Sequence, residues 1–175
     1  MAEIFNENIE RGIKSDCPEA HYNLAKEEHE KGNDFLAVYW MKMAAENGMA
    51  AAQNDLGVFF YTGTGVKQSF EEAVYWYKKS ADQGNPDALF NLGGCYFFGT
   101  GVEESKEKAV KLWQKAADKN HANALYNLSG CYYYGVGIDQ SNEVALELCK
   151  KAAELGQEDA KAGLEEYYRN KRSHR

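Results

Sequence analysis

The chain has 175 residues, 44% of them apolar, and a formal net charge of −7. That length allows one compact domain or a short repeat array. The acidic balance argues against nucleic acid or an anionic membrane as partner, since both need a positive footprint, and no stretch holds the 18 apolar residues of a membrane span.

In chain order the first predicted element is a helix over Ala2 to Lys14, where Ile4, Phe5, Ile9 and Ile13 form one apolar stripe; residues 1–18 read as an N-terminal cap. This segment lacks the charged-then-apolar pattern of a secretory signal, which points to a cytoplasmic protein. From Glu19 a repeat organises the sequence. Residues 19–50 are a short first copy. Residues 51–86, 87–122 and 123–158 are three full copies with a period of 36 and no gaps. Leu56, Leu92 and Leu128 align, as do Phe60, Tyr96 and Tyr132, then Gly63, Gly99 and Gly135, then Gly65, Gly101 and Gly137. The short copy lacks four residues in its turn, where Lys31-Gly32-Asn33 replaces a GTGV-type sequence; loops absorb such deletions better than packed helices do.

Each copy predicts a helix A, a glycine turn and a helix B. Pro86 suits the first position of a helix A. Ser69, Ser105 and Ser141 stand where helix B needs an N-cap, and Ser69 with Glu72 spells a capping box. Gly57, Gly93 and Ser129 fall in mid-helix, where glycine costs about 1 kcal/mol against alanine; this predicts a neighbouring helix crossing closely there. Residues 159–170 repeat helix A alone and read as a C-terminal cap. A basic tail, residues 171–175, ends the chain, with disorder expected from about Arg169.

The runs ALFNLGGCYFFGTGV (88–102) and KAVKLWQKAA (108–117), repeated along the chain, resemble the Sel-one-like repeat family, a relative of the tetratricopeptide repeat. The resemblance implies an all-α fold: a right-handed α–α superhelix, or solenoid, of helix-turn-helix repeats, with helices A lining the concave groove. It also implies a non-enzymatic scaffold that binds a protein or extended peptide in that groove. Secreted relatives carry a cysteine staple between helix B and the next helix A. Here those positions hold Ala81 and Ala88, then Ala117 and Ala124. A hydrolase of the β-lactam-binding type suggested for those relatives is one alternative. Another is a self-assembling module that associates weakly through its terminal helix or tail.

No catalytic set, metal site or cofactor motif emerges. None of His21, His29, His121 and His174 has metal-ligand spacing. Cys17, Cys95, Cys131 and Cys149 read as reduced thiols. Cys95 and Cys131 stand one period apart, which marks a packing position used twice. The surplus lies in aromatics: the family pattern fixes one per helix A, yet Phe90, Phe97 and Phe98 form an extra stripe and Tyr126, Tyr133 and Tyr134 repeat it. Tyr61 is their counterpart one copy earlier. Phe97 and Tyr133 are expected to face the groove, whereas Phe98 and Tyr134 fold more readily under the turn. Asn23, Asp55, Asn91 and Asn127 share one position before the repeated leucine, where an amide can hold a peptide backbone. Because Asn54, Phe90 and Tyr126 flank this series instead of Lys or Arg, an apolar or aromatic peptide segment is expected, not a carboxylate terminus.

Overall fold

The computed structural model describes residues 17–173; the N-terminal cap expected over residues 1–18 falls, apart from Cys17 and Pro18, outside the described residues. Among those residues every regular element is a helix. In order they are α1 (Pro18–Glu30), α2 (Asp34–Glu46), α3 (Ala50–Thr62), α4 (Phe70–Asp82), α5 (Pro86–Phe98), α6 (Lys106–Ala117), α7 (Ala122–Tyr134), α8 (Asn142–Glu154) and α9 (Glu158–Ser173). Odd-numbered helices are the A helices of the sequence and even-numbered ones the B helices, the repeated helix pair of an α-solenoid. α9 runs on through Arg169 to Ser173, where disorder was expected. No Gly or Pro stops it there, and basic residues suit the negative end of the helix dipole.

Local chemistry sets the helix ends. Ser69, Ser105 and Ser141 cap α4, α6 and α8, accepting from the backbone N–H of Glu72, Lys108 and Val144 at 3.2, 3.3 and 3.3 Å. The capping box at Ser69 is only half formed, because the Ser69 N–H donates to the Phe60 carbonyl at 3.0 Å instead of to Glu72. The same backbone bond joins Ser105 to Tyr96 and Ser141 to Tyr132. The two turn glycines do different work. Gly63 stops α3 at φ +77°, which L side chains rarely adopt. Gly65 permits close approach: a Cβ there would lie 2.4 Å from the Asp34 carbonyl oxygen at the start of α2.

The chain divides into two compact units, Met1–Ala88 and Leu89–Arg175. In the first, α1 packs on α2, α2 on α3, and α3 on α4. Leu24, Leu36, Trp40, Met41, Leu56, Phe59 and Trp76 fill its core. The shortened first turn has its own device. Glu28 stands where the later copies carry Phe60, Tyr96 and Tyr132, and it is 1% exposed. Its carboxylate accepts from Lys31 Nζ and Asn33 Nδ2, each at 2.8 Å, so a buried carboxylate paired with an exposed lysine holds the turn that lacks the GTGV sequence. In the second unit α6 packs on α7, α7 on α8, and α8 on α9.

Mid-helix glycines mark the closest crossings, as the sequence implies. A Cβ on Gly57 would fall 2.6 Å from the Tyr77 ring, and one on Gly93 would fall 2.5 Å from Trp113 Nε1. Tyr77 and Trp113 are one period apart, so α4 and α6 each press a large ring onto a bare stretch of the preceding A helix.

Candidate functional site

In the second unit α5 and α7 end in a glycine turn, and the residue before that turn has no further helical turn to pack upon. Phe98 precedes Gly99 (φ +67°) and Tyr134 precedes Gly135 (φ +67°). They are 72% and 75% exposed. The expected order is therefore reversed: Phe98 and Tyr134 face outward, while Phe97 is half-buried against its own repeat. The Phe97 ring centroid lies 5.1 Å from that of Trp113, and the Lys106 ammonium sits 3.9 Å above it. Lys106 Nζ also donates to the Phe97 carbonyl.

Tyr133, one period after Phe97, is 53% exposed. Two substitutions uncover it. Position 106, which covers Phe97, becomes Asn142, and position 113 becomes Cys149. Where Trp113 filled the space over Gly93 and Phe97, the short Cys149 side chain leaves a recess over Ser129 and Tyr133. A pocket of about 860 Å³ opens here, lined among others by Phe97, Tyr126, Asn127, Tyr134, Cys149 and Leu164. Among the described residues none that lines it is charged. Its volume lies within the roughly 300–1,000 Å³ of ordinary ligand sites.

The pocket gathers six of the aromatic and polar positions singled out in the sequence: Phe97, Phe98, Tyr126, Asn127, Tyr133 and Tyr134. Burial, then the charge of Asp159, pushes the Tyr126 hydroxyl above its ordinary pKa, so it stays protonated. Phe90 does not line the pocket; it stacks on His121 with centroids 4.8 Å apart. Asn91 is half-buried in the same helix. The remaining three belong to the first unit. Asn23 is exposed. Tyr61 meets Phe70 edge-on at 5.2 Å. Asp55 accepts from the Tyr22 hydroxyl at 2.8 Å and from Asn54 at 3.0 Å, which ties α1 to α3 and uses part of the capacity a peptide would need.

Leu146, Cys149, Gly163 and Leu164, from α8 and α9, complete the wall and escaped the sequence reading. Reading down the B-helix column would have found Cys149, since the series Tyr77, Trp113, Cys149 breaks its aromatic pattern there.

The thiols of Cys95, Cys131 and Cys149 are poor nucleophiles. Burial pushes Cys95 up to about 11 and raises Cys131 and Cys149 as well. A thiol activated for catalysis shifts the other way. Among the described residues no group of three or more His, Cys, Asp or Glu is placed to hold a metal ion, and no helix is long and apolar enough to cross a membrane.

A family model described as Sel1 repeat matches residues 18–49, 50–85, 86–121 and 122–157. Among solved structures, a Sel1 repeat protein from Oxalobacter formigenes is 30% identical with a TM-score of 0.79, over 85% of this chain and 61% of that one. The protein c5321, a protective antigen of uropathogenic Escherichia coli strains with an SLR fold, is 31% identical with a TM-score of 0.78, over 82% of this chain and 32% of that one. The chain thus spans less than two thirds of either protein. Helicobacter pylori cysteine rich protein B shares the fold at 22% identity and a TM-score of 0.56, over 70% of this chain and 92% of that one. No curated protein matches.

Proposed function

The chain belongs to the Sel1 repeat family, and on that premise we propose that it is a non-enzymatic interaction module that takes a protein or peptide segment on its A-helix face. Sel1 repeat proteins are generally protein-interaction scaffolds. The observation that carries the reading for this chain is the uncharged pocket of the second unit, flanked by the exposed rings of Phe98, Tyr133 and Tyr134. A large aromatic can bury about 150–250 Å², and aromatics are enriched in the cores of protein interfaces. The raised thiols beside the pocket argue against a cysteine hydrolase. Four free cysteines suit a reducing, cytoplasmic setting.

The test is a peptide-display selection against the full chain, followed by titration of the selected peptides into the double variant Phe98→Ala/Tyr134→Ala. The expected result is binding weakened tenfold or more with an unchanged melting temperature, because both rings are exposed in the free protein. Selected peptides that bind the double variant as tightly as the parent would sink the proposal.

A further inference from the structure

The repeats supply their own template for what the pocket holds. Trp113 makes three contacts: its ring lies on Gly93, it faces Phe97, and its Nε1 donates to the Phe90 carbonyl at 3.1 Å. One period later those partners are Ser129, Tyr133 and Tyr126, and all three line the pocket beside Cys149. The recess is thus the site of an indole that the last full repeat does not carry.

We propose that Cys149 sets the specificity of this module, by leaving a recess that takes an aromatic side chain, tryptophan above all, from a partner peptide. This rests on the interaction reading above and names the chemistry of the partner. Charge favours such an occupant, since among the described residues none that lines the recess is an acid or a base of the Asp, Glu, Lys or Arg kind. Lys106, which sits over Phe97, is engaged by Glu104 at 3.3 Å and by the Phe97 carbonyl. Hydrogen bonding accommodates it. The Tyr126 carbonyl takes the helical N–H of Gly130 and the Ser129 hydroxyl at 2.7 Å, so this acceptor is satisfied while the recess is empty. An arriving indole N–H takes the place of the Ser129 hydroxyl, which can rotate away. The volume of about 860 Å³ exceeds one ring, which leaves room for flanking backbone beside Phe98 and Tyr134.

The experiment titrates the isotope-labelled full chain with a capped pentapeptide that has tryptophan at its centre between glycine and serine, and with the same peptide bearing alanine or glutamate instead. Saturable shifts of the Ser129, Tyr133, Cys149 and Leu164 amides are expected with the tryptophan peptide, and at least tenfold weaker binding of the other two. Cys149→Trp, which restores the side chain of the preceding repeat, should weaken the tryptophan peptide at least tenfold. If that variant folds poorly, Ser129→Gly/Cys149→Trp copies the Gly93–Trp113 pair and gives the same reading. Equal binding by the parent and by Cys149→Trp overturns the inference, as does equal binding of the alanine peptide. Should display-selected peptides depend on Phe98 and Tyr134 while no tryptophan peptide binds, this inference fails and the interaction reading stands. If neither kind of peptide binds, both fail.

Discussion

Trp113 lies directly on Gly93: a Cβ on the glycine would stand 2.5 Å from the indole nitrogen. The same two columns hold Gly57 with Tyr77 in the copy before and Ser129 with Cys149 in the copy after. Where the B-helix residue is a large ring, the A helix gives up its side chain. Where the B-helix residue is small, the A helix regains one. The protein therefore varies one packed contact along its repeats, and at the last full copy the contact opens into a pocket.

Two adjacent glycines of α5 make the first test. Gly93 is crowded by Trp113, whereas a Cβ on Gly94 would meet nothing within 4 Å. Gly93→Ala should destabilise the chain by about 1–3 kcal/mol through overpacking. Gly94→Ala should stabilise it by up to about 1 kcal/mol, since glycine is a poor residue in a helix interior. Urea denaturation midpoints measure both; shifts of the same sign would contradict the crossing geometry.

The buried Glu28 carboxylate of the short first turn yields the second. Lys31 answers a Glu28 carboxylate that is nearly inaccessible, while Lys42 and Glu46 form an exposed pair at 3.7 Å. Lys31→Met leaves a buried charge short of a partner and should cost roughly 1–3 kcal/mol. Lys42→Met should change stability by less than about 1 kcal/mol. Comparable losses from the two variants would mean that Glu28 does not depend on its lysine.

How much of this was legible beforehand depends on whether a feature repeats. The 36-residue period fixes the helix pairs, the serine caps and the glycine crossings, because each recurs at a set offset. Glu28 could not be read as a buried clasp, since its meaning comes from a four-residue deletion that changes what the turn can bond. The exposure of Phe98 against the burial of Phe97 was likewise hidden. Neighbouring residues on a helix differ by about 100° in direction, and which one meets the core is decided by Trp113, on the next helix. Cys149 was visible only as a cysteine; its consequence needed the Trp113 contacts in view.

Thiol reactivity gives a third prediction. Cys17 is exposed, Cys95 and Cys131 are buried, and Cys149 lies between. The Cys95 thiol is pushed up to about 11 by burial, and the thiolate is the reactive form. At about pH 8, near the ordinary thiol pKa, the folded chain should be alkylated quickly at Cys17, slowly at Cys149, and at Cys95 and Cys131 only when it unfolds. Mass spectrometry of time-quenched samples resolves the four sites. Cys95 labelling as fast as Cys17 would show that the repeated cysteine position is not a packing site.

The Tyr22–Asp55 bond gives the fourth, and it concerns pH. Burial first, and then the Asp55 carboxylate at 2.8 Å, push the Tyr22 hydroxyl from 10.0 up to about 12. The folded state thus keeps this proton after the unfolded chain has released it. Between those two values the folded chain binds more protons than the unfolded one, so stability falls as pH rises. The contribution is fully present below about 10 and is lost as pH climbs through about 12. Asp55→Asn removes the carboxylate charge but leaves the burial, so the Tyr22 titration midpoint should drop only part of the way toward 10.0. Ring-carbon chemical shifts of labelled tyrosine follow this one residue among the twelve. An unchanged midpoint in Asp55→Asn would mean that the carboxylate does not hold the Tyr22 proton, and that the tie between α1 and α3 rests on packing alone.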